Sequence, residues 1–207
     1  IPKQCKGKTL HESDVLSKLP LRDQKVLITA GPTYESIDPV RFIGNYSSGK
    51  MGFALAEEAA ALGAEVILVT GPTALITKSS GITRIDVRSA DEMYKAVHQF
   101  YSDVNIGIFA AAVSDYKPAA ISDFKIKKKE NNMHLELIPT QDILASAGKL
   151  KEKQFLVGFA LETDNELENA KIKLRKKNLD MIVLNSLQDE GAGFRKNTNK
   201  ITIIDKN

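Results

Sequence analysis

VLITAGPTYESIDPVRFIGNYSSGKMGFALA (26–56) reads as an apolar strand, a long loop rich in glycine, serine and asparagine, and an alanine-rich helix opening near Lys50. A strand that passes to a helix through such a loop offers backbone N–H groups and the positive end of a helix to an anion. The expected ligand is a phosphate. Two well-known phosphate loops do not fit. Gly44, four residues, Gly49 and Lys50 match the first seven positions of a P-loop, but the eighth is Met51, where a Ser or Thr hydroxyl would meet Mg2+. About a dozen residues also separate Gly31 from Gly44. Gly31-Pro32-Thr33 is not a dinucleotide fingerprint either. The loop predicts nucleotide or phosphate binding in a geometry of its own.

Outward from this stretch, apolar runs at 25–29, 65–70, 84–87, 105–111, 155–160 and 181–185 predict strands, with 201–205 as a last edge strand. Most runs are continuous rather than alternating, as in strands buried on both faces. Helical patterns at 50–62, 89–101, 141–152 and 164–178 lie between them and supply the crossovers of a parallel sheet. The predicted fold is α/β, a doubly wound, mostly parallel Rossmann-like sheet. KIKKKENNMHLELIP (125–139) breaks the rhythm and reads as two short strands around a polar ENN turn, a protruding β-hairpin flap. Ligands of such sheets sit beyond the carboxyl ends of the strands. Gly31, Arg41, Asn45, Ser47 and Ser48 follow the first strand, and Ala110, Ala111, Ala112 and Asp115 follow the fourth. Phe159 and Asn185 end the fifth and sixth. Small alanines leave room for a flat group and Asp115 can accept hydrogen bonds, so a nucleoside suits this end of the sheet.

Composition narrows the class. A chain of 207 residues that is 43% hydrophobic can bury one sizeable core. Its 29 basic and 26 acidic residues, net +3, are too balanced to predict nucleic-acid binding despite the local KIKKK run. Cys5 is the single cysteine and cannot form an internal disulfide, and no apolar stretch approaches the roughly 20 residues of a membrane span. A cytoplasmic location is expected. His11, His98 and His134 fall in different elements, so neither a His-based metal site nor a His dyad is indicated. The polar opening IPKQCKGKTLHESDVLSKL reads as a linker. Residues 1–22 are therefore expected to be the remnant of a connection from an upstream domain, and 23–207 one nucleotide-binding domain.

Seven segments, in order, carry a resemblance: TAGPT (29–33), DPVRFIGNYSSGKMGFALA (38–56), AAAVSDYKP (110–118), KIKK (125–128), QDIL (141–144), VGFALET (157–163) and KLRKKNLDMIV (173–183) with Asn185. They resemble the bacterial phosphopantothenoylcysteine synthetases, the second enzymatic half of the bifunctional coenzyme A biosynthesis flavoprotein. The resemblance implies a ligase in which CTP activates the carboxylate of 4'-phosphopantothenate to an acyl-cytidylate with loss of pyrophosphate. The amine of L-cysteine then attacks and CMP leaves. Asn45 matches the family's catalytic asparagine, which would polarise the acyl carbonyl, and Lys125 matches a flap lysine reaching the reacting phosphates. Ser47, Ser48 and Gly49, with Gly31, Ala111, Ala112 and Asp115, would hold the nucleotide. Gln141, Asp142, Ile143 and Leu144 match its binding segment, Phe159 the residue packing against it, and Lys173 and Lys177 two further lysines near it. Arg41 would lie near the acid substrate. The resemblance further implies Mg2+ with the CTP, FMN only in an upstream decarboxylase half, and a homodimer joined through the 125–139 hairpin. Tyr34 stands where many members carry a basic residue, and Gln141 where a proline often precedes the aspartate.

Taken singly, the same residues have plainer readings: Asn45 as a turn residue, Lys125 in a solvated charge run, Phe159 in the core, Asp142 as a helix cap. Two other functions stay open on the sequence. An NAD(P)-binding oxidoreductase would use the same sheet, though the glycine fingerprint and a Tyr-x-x-x-Lys pair are absent, Tyr116 being followed four residues on by Ala120. A non-catalytic nucleotide-binding module would bind CTP without turning it over.

Overall fold

The computed structural model describes residues 18–128, 132–162, 164–186 and 200–206. Most of the expected linker, with Cys5 and His11, and the Glu130–Asn131 part of the expected flap turn lie outside them. In chain order the elements are β1 (Lys25–Ala30), β2 (Tyr34–Ser36), β3 (Phe42–Gly44), α1 (Lys50–Ala61), β4 (Glu65–Thr70), β5 (Ile82–Asp86) and α2 (Ala90–Phe100). They continue with β6 (Ile106–Phe109), β7 (Tyr116–Pro118), β8 (Leu137–Pro139), α3 (Ile143–Leu150), β9 (Phe155–Glu162), α4 (Glu166–Lys176), β10 (Met181–Ser186) and β11 (Ile201–Asp205).

Seven strands form the central sheet in the order β5-β4-β1-β6-β9-β10-β11. Neighbours from β5 to β10 pair in parallel and β11 runs antiparallel at the edge. Every run predicted as a strand is in it. Two or more residues separate prediction and structure at three strand ends: β5 starts at Ile82, which pairs with Val66, β6 ends at Phe109, and β9 runs on to Glu162, which pairs with Ser186.

The core explains why β1 is apolar without a break. Val26, Ile28 and Ala30 pack with Phe53, Ala56 and Ala59 of α1 on one face. Leu27 points to the other face and packs with Met93 and Val97 of α2, Ile143 and Leu144 of α3, and Leu174 of α4. A strand covered by helices on both sides has no polar position to spare. The helix starts are also local: Ser89 Oγ accepts from the backbone N–H of Glu92 at 3.2 Å, and Asp142 Oδ1 from that of Ala145 at 2.9 Å. At the start of α1 Gly49 has φ +80°, and a Cβ there would stand 3.3 Å from the Cα of Gly31, itself at φ +74°. Two glycines in left-handed conformation let loop and helix touch backbone to backbone.

The flap differs from expectation in its pairing. Described residues 119–128 and 132–136 form no strand, and the antiparallel pair lies at the base, where Tyr116 opposes Pro139 and Pro118 opposes Leu137. The reason is at Ile126. Its N–H and C=O are taken by the side chains of Asp38 and Arg41, so a cross-strand partner has nothing to bond. The β2–β3 hairpin, which the sequence reading missed, presents Asp38 and Arg41 from its turn and is closed by stacked Tyr34 and Phe42 rings 3.8 Å apart.

Candidate functional site

From β1 the chain steps to β4 and β5 on one side, and from β6 to β9 and β10 on the other. The carboxyl ends of β1 and β6 therefore flank the point where strand order reverses, the place where such sheets bind ligands. A cleft opens there. Its floor is Thr29 of β1, Phe109 of β6 and Phe159 of β9, and one wall is Ala111, Val113 and Asp115. The other walls are Thr140 to Leu144, leading into α3, and Lys173 with Lys177 at the end of α4.

Nine of the predicted nucleotide residues line this cleft: Ala111, Asp115, Gln141, Asp142, Ile143, Leu144, Phe159, Lys173 and Lys177. Asp142 does two jobs. Its Oδ1 caps α3, while Oδ2 pairs with Lys177 Nζ at 2.8 Å. Burial pushes its carboxyl up, but the Lys177 hydrogen bond, the Ala145 N–H and the charges of Lys177 and Lys173 outweigh that, and the net shift is downward. The pairing contributes stability above the unfolded Asp pKa of about 3.9 and loses it as pH falls through the lower folded value. Lys173 Nζ donates to the Phe159 carbonyl at 2.8 Å, which holds an ammonium beside the middle of β9. Thr29, Phe109, Val113 and Thr140 complete the lining and were not anticipated.

Six more of the predicted residues gather beside the cleft rather than among the residues that line it. Ala112 N–H donates to Gly31 O at 2.8 Å, extending the pairing of β1 with β6 past the sheet. Asn45 Nδ2 donates to the carbonyls of Ala112 at 3.0 Å and Val113 at 3.3 Å, on the strand end that forms the cleft wall. Gly49 N–H donates to Ser47 Oγ at 3.3 Å, and Ser48 O accepts from Thr73 Oγ1 at 3.1 Å. Gly31, Asn45, Ser47, Ser48, Gly49 and Ala112 thus form a second patch that meets the cleft along residues 111–113.

Arg41 and Lys125 lie farther out. Asp38 is buried and accepts from the backbone N–H groups of Val40 and Arg41 at 2.8 and 2.9 Å, from Arg41 Nε at 3.0 Å and from Arg41 Nη2. The Arg41 hydrogen bond, against the opposing effect of burial and with help from the N–H groups of Val40, Ile126 and Arg41, holds the Asp38 carboxyl well below the usual carboxylate range. Arg41, expected beside the substrate, spends Nε and Nη2 on Asp38 and on Ile126 O at 2.7 Å. Lys125 is exposed, one residue before this anchor.

The chain belongs to the family described as the DNA/pantothenate metabolism flavoprotein C-terminal domain, whose model matches residues 21–207. It is 58% identical over 192 residues to a "Cysteine/Cysteine sulfinic acid decarboxylase" from an unknown prokaryotic organism, covering 92% of this chain and 54% of that protein. It is 49% identical over 187 residues to the coenzyme A biosynthesis bifunctional protein CoaBC of Bacillus subtilis (strain 168), covering 90% of this chain and 46% of that one. The crystal structure of the C-terminal domain of a CoaBC superposes with TM-score 0.76 at 47% identity, covering 91% of this chain and 85% of that domain. The chain spans about half the length of these curated relatives. Among the described residues no helix is long and apolar enough to cross a membrane.

Proposed function

We propose that the chain is a cytoplasmic phosphopantothenate–cysteine ligase of coenzyme A biosynthesis, using CTP to activate 4'-phosphopantothenate. The observation that carries the reading is the cleft at the strand-order reversal. It is built from the QDIL segment, Phe159, Lys173 and Lys177, the residues that match the family's nucleotide site. In this reading the nucleoside lies against Phe159 and the small residues at 111 and 112, with Asp115 accepting from its hydroxyl or amino groups. The triphosphate runs toward Gly31, Ser47, Ser48 and Gly49, at the positive end of α1.

The carboxylate of 4'-phosphopantothenate attacks the α-phosphorus, an acyl–O–P bond forms and pyrophosphate leaves. The amine of cysteine then attacks the acyl carbon, the C–O bond breaks, and CMP departs with that oxygen. Negative charge grows on the acyl oxygen in this second step, and a fixed amide donor stabilises it. Asn45 supplies that donor by exchanging a carbonyl of Ala112 or Val113 for the substrate's. Lys125 approaches from the flap to neutralise the phosphates. Among the described residues no group of three His, Cys, Asp or Glu side chains is arranged to hold a metal ion. Mg2+ entering with the nucleotide would need no such cage, and the chemistry it would supply is neutralisation of charge on the departing pyrophosphate.

Residues 1–22 act in this reading as the link to an upstream half that carries FMN. The chain covers 54% of the relative named as a decarboxylase, so that activity has the rest of that protein to reside in. Homodimerisation through the flap is supported by its exposed apolar side chains, Met133 at 53%, Leu137 at 43% and Ile138 at 38%. The test of the two-step chemistry is isotopic. Carboxylate-18O-labelled 4'-phosphopantothenate should place one 18O in the CMP phosphate; unlabelled CMP formed alongside the amide product would exclude an acyl-cytidylate.

A further inference from the structure

Asp38 is not among the residues lining the cleft, yet it is among the most connected side chains of the described residues. Its Oδ1 takes two N–H groups of its own turn, and its Oδ2 takes Arg41 and the N–H of Ile126 at 3.1 Å, 88 positions away in the chain. Arg41 Nη2 returns to Ile126 O at 2.7 Å, so both backbone polar groups of Ile126 are held by one ion pair. Four residues before Ile126, the Ser122 N–H donates to the carbonyl of Ile37, the neighbour of Asp38, at 3.0 Å and reinforces the tie. On the other side, the turn containing Asp38 continues directly into β3, whose last residue, Gly44, precedes Asn45. One buried carboxylate therefore stands between the two groups to which the chemistry was assigned.

We propose that Asp38 is a positioning residue: through Arg41 it clamps the Ile126 backbone to the turn that leads into Asn45, and so sets where Lys125 stands relative to Asn45. The proposal rests on the ligase reading for the roles of those two residues. The physical warrant is the form of the contact. A buried carboxylate saturated by N–H donors and a forked guanidinium has one geometry, whereas the exposed flap on its own has many. Neither Asp38 nor Arg41 needs to touch substrate for this. An error of about 1 Å in a reacting group's position costs on the order of 10²-fold in rate.

The test is Asp38→Asn, which keeps the shape of the side chain but turns an amide toward the donors of Arg41 and Ile126. Turnover should fall roughly 10- to 100-fold with the KM for CTP unchanged, because the cleft residues on β9 and α4 are untouched. In a Lys125→Gln background the same change should cost no more than about twofold, the scatter of non-interacting sites. Trypsin should cut the Lys125–Ile126 bond of the folded Asp38→Asn protein faster than that of the wild type. Equal losses of turnover in both backgrounds, or an unchanged cutting rate, would overturn the proposal. Should Asp38→Asn not fold, Arg41→Lys, which cannot bridge Asp38 and Ile126 at once, must give the same pattern. A wild-type chain that releases no pyrophosphate with any nucleotide would strike the ligase reading, while the trypsin rates still decide whether the tie exists.

Discussion

Asn45→Ala should lose the second step of the reaction and keep the first. Asn45 is exposed, and its side chain makes two hydrogen bonds to strand-end carbonyls, so its removal costs the fold only about 1 kcal/mol and leaves thermal melting nearly unchanged. The barrier to amide formation should rise by about 2.7–4 kcal/mol, 10²- to 10³-fold in rate, the usual loss of one oxyanion donor. A single-turnover experiment separates the steps. Pyrophosphate should appear in a burst of near wild-type amplitude, while phosphopantothenoylcysteine forms slowly and the acyl-cytidylate accumulates. Equal slowing of both would mean that Asn45 serves only to fasten the loop to Ala112 and Val113.

Leu27→Ala should give the largest loss of stability. Leu27 is fully buried on β1, between Ile67 of β4 and Gly107 of β6 in the sheet register. Gly107 has no side chain to move into the space, and the helices on that face are already packed against their neighbours. Large-to-small changes at such sites cost about 2–5 kcal/mol, and poor relaxation puts this one at the upper end. Against a total stability of about 5–15 kcal/mol that is a large fraction. Urea denaturation should show a lowered midpoint at unchanged slope. A loss below about 1 kcal/mol would mean that the core over this face is loosely packed.

The sheet was legible because six of its strands run parallel, and strands buried on both faces leave continuous apolar runs. Asp142 was legible as a cap because the N-cap hydrogen bond is made within four residues. The site was legible from position where a polar side chain follows a strand end, as Asp115 does, and from the resemblance alone where it stands on a helix, as Lys173 and Lys177 do at the end of α4. Of its floor only Phe159 was anticipated, through the resemblance: Thr29 and Phe109 sit inside strands and look like core. The three-residue pairs β2–β3 and β7–β8 are too short to show an alternation. Asp38-Pro39 reads as an ordinary turn, and what sets it apart is a contact 88 residues distant. The tie of Arg41 to Asp38 and Ile126 was hidden for the same reason, since these partners meet it only once the chain is folded.

The ligase reading meets its most direct test in pyrophosphate release by the purified chain with Mg2+, 4'-phosphopantothenate and cysteine, supplying CTP or ATP in parallel and omitting each substrate in turn. The account predicts release with CTP that requires the acid, with a first turnover that does not require cysteine. Release indifferent to the acid, or none from a folded sample with either nucleotide, would contradict it.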